Sequence, residues 1–235
     1  MRIKNTNMGS FLSIPDLISL LNLSFGFISI LLAINGFIRF SAIAIIFAII
    51  FDSADGWVAR KIGRNDEYGF GKNIDSLSDV VSFGVAPGIL LYSVCAVNTP
   101  ELIYISVFIS LFIVITGVLR LTRYNVIADY LDFKGFIGLP IPATAMLIST
   151  FILTGIFHIN SIVSISIIFS LMLISSILMV SNIRYSKFNN IKIIIIALIL
   201  ILLIIIPIPI SYNRIDVPAT ILFILTLIFA LNLFK

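Results

Sequence analysis

The sequence predicts an all-α fold: a polytopic membrane helical bundle of about eight transmembrane helices. Three observations carry that expectation. First, 60% of the 235 residues are hydrophobic and only 11% are charged, whereas a soluble globular chain carries roughly 25% charged residues. Too few charges are present to cover a water-facing surface. Second, the apolar residues come in runs of roughly 20, the length of helix that crosses a hydrocarbon core. Third, the basic residues fall on one side of the alternation those runs impose.

The expected spans are 14–37, 38–60, 73–97, 101–123, 136–157, 159–182, 190–211 and 217–234. Turn-forming residues separate several of them: Asn35-Gly36, Asn98-Thr99-Pro100, His158 to Asn160, Asn189-Asn190 and Tyr212-Asn213. The apolar stretch behind Arg2 and Lys4 runs to about Phe37, longer than a signal-peptide core, and is expected to be a retained first helix. A β-barrel would show alternating segments of about ten residues, and IKIIIIALILILLIIIPIPI has no such alternation. Six spans, within residues 1–183, form an expected membrane domain. The last two, within 184–235, are almost pure Ile, Leu and Phe and are expected to be lipid-facing additions. Pro87, Pro140 and Pro142 lie in or near spans, where neighbours or water must satisfy the freed backbone groups.

With the N-terminus in the cytoplasm, the cytoplasmic segments hold all of the 15 Lys and Arg residues except Arg39 and Arg214. Such a bias sets orientation, so the expected setting is the cell membrane with the loop between spans two and three in the cytoplasm. The net charge of +4 is then a topology signal, and no nucleic-acid partner is expected. The single cysteine, Cys95, lies in an apolar segment, which excludes an internal disulfide and a cysteine zinc site. His158, the only histidine, falls in an expected outer loop and is assigned no role.

Ionisable groups inside spans cost roughly 2.5–3.5 kcal/mol each on insertion scales, which makes them functional candidates. Asp52 and Asp55 close span two, and Asp75 and Asp79 open span three. Residues three or four apart share a helix face, so each pair points one way, and a short loop lets the pairs face each other. Four carboxylates in one pocket repel unless a cation sits among them. Oxygen ligands with no His or Cys nearby suit Mg²⁺ or Mn²⁺, which would clamp and polarise a phosphate. The same stripe of span two continues through Gly56, Ala59 and Arg60. Gly56 and Ala59 would let a planar group such as a nucleobase lie against the backbone, and Arg60 supplies a fork of donors for phosphate.

The segments DSADGWVAR and GKNIDSLSD resemble the signature of the CDP-alcohol phosphotransferases, D-xx-D-G-xx-A-R followed by G-xxx-D-xxx-D. The match falls on Asp52, Asp55, Gly56, Ala59, Arg60, Gly71, Asp75 and Asp79. One departure is visible: ten residues, Lys61 to Phe70, separate Arg60 from Gly71, a longer spacer than the family usually has. Gly69 sits at the usual spacing but breaks the aspartate register, so Gly71 is taken as the match. Within the family, DSLSDVVSFGVAPG, RLTRYNV and GLPIPATA are similar to phosphatidylserine synthases of the small bacterial and archaeal type. The resemblance implies attack of an alcohol on the β-phosphate of a CDP-lipid, with CMP leaving. It implies that all four aspartates bind metal, that Asp79 is also the general base, and that Asn22, Gly56, Ala59, Arg60 and Gly71 bind the CDP-lipid. It further implies CDP-diacylglycerol or CDP-archaeol as donor, L-serine as acceptor and a homodimer.

Arg120 and Arg123, near the cytoplasmic end of span four, are candidates for the acceptor, since a guanidinium binds a carboxylate in a bidentate way. An acceptor such as glycerol 3-phosphate or inositol phosphate is the alternative within the same chemistry. A cation transporter is the alternative outside it, although that function places its carboxylates nearer mid-bilayer on broken helices.

Overall fold

The computed structural model describes residues 7–62, 69–127, 135–156, 161–186, 191–206, 211–212 and 215–233. Arg2, Lys4, Arg64, Lys134, His158, Lys187, Arg214, Lys235 and the middle of the Lys61–Phe70 spacer lie outside the described residues.

Helix α1 (Ile14–Ile34) begins where its sequence supplies a stop and a cap. Ser13 is extended, Pro15 sits in the first turn, and the Asp16 carboxylate accepts from both the backbone N–H and the hydroxyl of Ser13, each at 2.8 Å. Asn35-Gly36 ends it, with Gly36 at φ 81° and the Phe37 N–H returning to the Leu32 carbonyl. Helix α2 (Ile38–Ile62) runs back along α1. The ring of Phe25 stacks on both Phe47 and Phe51, each at 5.2 Å, and the hydroxyls of Ser29 and Ser41 meet at 2.9 Å.

Helix α3 (Phe70–Asn98) is continuous but not uniform. It is α-helical to Asp79, widens into a π-helical stretch at Val80–Val85, and resumes as an α-helix at Ala86. Pro87 accounts for the widening: it donates no hydrogen bond and its ring crowds the preceding turn, which a wider turn relieves. Helix α4 (Ile103–Ile127) packs on α3, and the Ser110 hydroxyl donates to the Gly88 carbonyl at 2.7 Å.

The chain then departs from the expected fifth span. A strand, β1 (Gly135–Ile137), pairs antiparallel with β2 (Arg184–Ser186), and helix α5 starts only at Ile141 (Ile141–Leu153). Two prolines and Gly138 at φ 78° hold 138–140 out of the helix. A side chain at Gly138 would strike the Met179 carbonyl and the Arg123 guanidinium. Helices α6 (Ser161–Val180), α7 (Ile191–Ile205) and α8 (Val217–Ala230) complete the bundle, with β3 (Ser211–Tyr212) and β4 (Ile215–Asp216) paired before α8.

Among the described residues, five helices are long and apolar enough to cross a membrane: Ile14–Ile34, Ile38–Ile62, Phe70–Asn98, Pro100–Ile127 and Ile162–Val180. Helices α5, α7 and α8 are apolar but shorter. The fold is the expected all-α membrane bundle and the protein is multi-pass. The last two helices are not wholly lipid-facing. Leu200 and Ile204 of α7 and Ala219, Leu222 and Phe229 of α8 are buried in the common core with Phe83, Ile113 and Phe151. Helix α8 is tied at both ends. Asp216 caps it through the Ala219 N–H at 3.1 Å, pairs with Arg39 at 3.1 Å and donates its own N–H to the Thr154 carbonyl. At the far end the buried Tyr185 hydroxyl donates to the Ala230 carbonyl at 2.9 Å.

Gly26 is where α1 meets the π-helical stretch. A Cβ there would lie 2.7 Å from the Ser82 backbone Cα, a contact that side-chain motion cannot relieve. Gly26→Leu is expected to destabilise the bundle by ~1–3 kcal/mol, as overpacked cores do. Gly9→Ala, with nothing within 4 Å of its new methyl, is the control. Thermal midpoints of the purified variants check this; equal midpoints would contradict the close approach.

Candidate active site

The end of α2 and the start of α3 bring the aspartates together. One carboxylate oxygen from each of Asp52, Asp55 and Asp75 lies within 4.8 Å of the other two. Asp79 lies outside this tight trio, one helical turn beyond Asp75 on α3. Asp52 and Asp75 are half-buried, Asp55 and Asp79 buried. Two facing pairs are what the spacing of three and four residues predicts.

Helix α1 forms the third wall, and most of that wall escapes the sequence reasoning. The Ser19 hydroxyl donates to Asp55 at 2.5 Å, and the Asn22 amide donates to Asp79 at 3.1 Å. Asn22 is fully buried, its own carbonyl oxygen Oδ1 has no partner among the described residues, and its backbone oxygen accepts from Ser82 at 3.0 Å. Asp16, Ser19, Asn22, Gly26, Ser29 and Ala33 are the buried stripe of α1 together with Pro15. Polar and small residues recurring every three or four positions in an otherwise apolar helix were the signal that could have found Ser19.

The two arginines of α4 separate. Arg120 is 5% exposed. Its guanidinium lies over the rings of Tyr124 and Phe136, at 5.3 and 5.7 Å, within electrostatic reach of Asp52, Asp75 and Asp79. Its Nε has no hydrogen-bond acceptor among the described residues. Arg123 points elsewhere. Its guanidinium donates to the carbonyls of Ile137, Met179, Val180 and Ser181 at 2.9–3.0 Å. It thereby satisfies the open end of α6 and favours that helix's negative pole. Lys72 donates to the Asn125 carbonyl at 2.7 Å and Asn125 to the Ser76 hydroxyl at 2.8 Å, which pins α3 to α4 beside the aspartates.

On α2, the space where Gly56 would carry a side chain is open except for the Arg60 guanidinium, 3.4 Å away. Arg60 is exposed, Ala59 half-buried and Gly71 buried in the first turn of α3. Gly69, at φ 70°, starts that helix in the left-handed region.

Residues 12–172 match the profile of the CDP-alcohol phosphatidyltransferases. The chain belongs to this family. An archaetidylserine synthase of Methanothermobacter thermautotrophicus is 53% identical over 146 residues, covering 62% of this chain and 60% of that protein. A CDP-diacylglycerol–serine O-phosphatidyltransferase of Methanocaldococcus jannaschii is 43% identical over 140 residues, 60% of each chain. One of Bacillus subtilis is 37% identical over 139 residues, 57% of this chain and 72% of the relative. The chain thus matches about 60% of the length of the first two relatives. Every aspartate of the site, and both helices that present them, lie inside the profile match.

CDP-alcohol phosphatidyltransferases generally depend on a divalent metal, and the donor set here fits one. Asp52, Asp55 and Asp75 offer oxygens only, as hard cations prefer. Carboxylates this close in an apolar bundle repel one another unless a cation lies among them.

The different surroundings of the two arginines yield a measurable contrast. Arg123→Ala is expected to lower the thermal midpoint by the equivalent of ~1.5–3 kcal/mol, the scale of lost hydrogen bonds from a charged donor. Arg120→Ala should lower it less and act on catalysis instead. Equal stability losses with equal residual activity would contradict the separation.

Proposed function

We propose that this protein transfers the lipid phosphate of CDP-diacylglycerol or CDP-archaeol to the hydroxyl of L-serine, releasing CMP. The supporting observation is the pairing of a three-carboxylate cluster with a buried arginine, Arg120, whose Nε has no partner among the described residues. The names of the relatives agree with a CDP-lipid donor and a serine acceptor.

In this reading Asp52, Asp55 and Asp75 hold Mg²⁺ or Mn²⁺, with Asp79 as a further ligand. The metal, when bound, neutralises charge on the diphosphate and polarises the phosphorus under attack. The chain's own groups do the rest. Gly56 and Ala59 leave room for the cytidine against α2, and Arg60 reaches the diphosphate with Gly71 nearby. Asn22, whose Oδ1 is free among the described residues, holds Asp79 in place and brings an amide to the CDP-lipid side of the site. Asp79 takes the proton of the serine hydroxyl, whose oxygen bonds to the phosphorus carrying the lipid as the bond from that phosphorus to CMP breaks. A base at this point is worth ~10²–10⁴-fold. Arg120 pairs with the serine carboxylate. Arg123 is left out of acceptor binding, because its donors are given to carbonyls.

The distribution of basic residues supports a cytoplasmic site and N-terminus in the cell membrane. We take residues 1–183 as the catalytic membrane domain, with 184–235 added to it. The assembly we propose is the homodimer that the family resemblance implies.

CMP release measured with a panel of alcohols tests the reaction. Serine is expected to stimulate release with Mg²⁺ or Mn²⁺ present; no gain over glycerol 3-phosphate or inositol phosphate would refute the acceptor. Asp79→Asn is expected to cut turnover ~10²–10⁴-fold while CDP-lipid binding persists, and full activity would remove it as base. Asp52→Asn should raise the metal concentration needed for half-maximal rate. Arg120→Lys should raise the KM for serine more than it lowers kcat, since an ammonium cannot form the bidentate pair.

A further inference from the structure

We infer that one hydrocarbon chain of the CDP-lipid lies in a half-open apolar cavity walled on one side by α7 and α8, so that these two helices select the lipid tail. The inference rests on the CDP-lipid reading of the aspartate site.

A cavity of about 500 Å³ lies between α2, α5, α7 and α8, within the ~300–1,000 Å³ of sites that hold small molecules. Its lining is almost wholly apolar. Only Ser53 and Thr226 bring a polar side chain, and the Thr226 hydroxyl already donates to the Phe223 carbonyl at 2.9 Å. A polar ligand would lose its water there and find almost nothing in return. An alkyl chain loses nothing, and apolar cavities of this kind do not hold ordered water.

The cavity's position points to the lipid of this reaction and not to a bystander from the bilayer. Ser53 follows Asp52 directly on α2, and Phe136, another lining residue, carries the Arg120 guanidinium over its ring. The apolar space therefore adjoins the aspartate site. A lipid whose phosphate sits at Asp52, Asp55 and Asp75 can lower one tail into it without leaving the protein.

The far wall is built from α7 and α8. Ile193, Ala197 and Ile201 line it at spacings of four residues, one face of a helix. Ala197 on α7 and Ala143 on α5 are both lining residues, and neither fills the gap that a larger side chain would close. On the α8 side the wall is anchored at Asp216 and at Ala230. A wall with a gap of this size discriminates between tails by width and length.

Two donors test this: a CDP-lipid with long hydrocarbon tails and one with six-carbon tails. Ala197→Phe and, separately, Ala143→Leu narrow the cavity. Each is expected to lower kcat/KM for the long-tailed donor by at least about tenfold, the loss when a few chain methylenes are shut out. For the short-tailed donor the change should stay within about twofold. Equal losses on both donors, or no loss on the long-tailed one, would overturn the tail assignment. Wild-type protein gives a check that no substitution can confuse. A CDP-lipid with a photoreactive group at the end of one tail should label peptides within 191–230 on illumination. Labelling confined to the outer faces of α1 and α4 would overturn the assignment. If wild-type protein released no CMP from either donor with any alcohol, the donor reading itself would fall, and the tail assignment with it. CMP release that is insensitive to cavity size would overturn only the latter.

Discussion

Carboxylates held together inside an apolar bundle are the constraint that the rest of the structure answers. Oxygens of Asp52, Asp55 and Asp75 lie within 4.8 Å of one another, a separation at which like charges repel by several kcal/mol outside bulk water. The surrounding groups supply donors and positive charge. Ser19 and Asn22 reach in from α1 to Asp55 and Asp79, and hydrogen bonds to a charged group are worth ~1.5–3 kcal/mol each. Arg120 brings the nearest buried cation. Those donors reach only if α1 runs close to α3, and Gly26 against Ser82 permits that approach. The stripe of small residues on α1 and the carboxylates on α2 and α3 are therefore parts of one requirement.

What the sequence discloses is what local spacing encodes. Asp52 and Asp55, and Asp75 and Asp79, are legible as facing pairs because helical periodicity fixes each pair on one face and a short connection joins the helices. The contribution of α1 is less legible. Ser19 lies 36 residues from Asp55, and a serine in an apolar helix gives no sign of what it touches. Helical spacing puts Arg120 and Arg123 on one face as well, yet their long side chains diverge. The carbonyls that absorb Arg123 belong largely to Met179, Val180 and Ser181, at the end of another helix, and no local pattern points to them. The fifth span shows the limit of hydropathy. Gly135–Ile137 is as apolar as a helix start, but its partner in β2 lies nearly 50 residues further on, and pairing at that distance leaves no periodicity to read.

The two ends of the bundle are built by different rules. At the aspartate end, polar side chains link the helices to one another: Lys72 to Asn125, Asn125 to Ser76, Ser82 to Asn22. Such a network rigidifies the elements that carry it, which suits a site whose chemistry depends on position. At the other end Arg39 meets Asp216 in an exposed pair, the kind of contact worth ~0–1 kcal/mol. Asp216 serves there by geometry more than by charge. It caps α8 and gives its N–H to the Thr154 carbonyl, which sets where the last helix begins.

That division bears on how chemistry and lipid fit are shared along the chain. The carboxylates and the donors that hold them fall within residues 12–172, the stretch that matches the family profile. Helices α7 and α8 fall outside it. Both line the apolar cavity beside Ser53 and Phe136. A change in their lining residues alters that space and leaves the carboxylates and their donors, which lie in other helices, unsubstituted. Packing terms in an apolar wall change by about a kcal/mol per methylene, whereas losing a partner to a buried charge costs ~3–5 kcal/mol. The wall can vary in small steps while the polar end cannot, and this asymmetry follows from the placement of the residues alone.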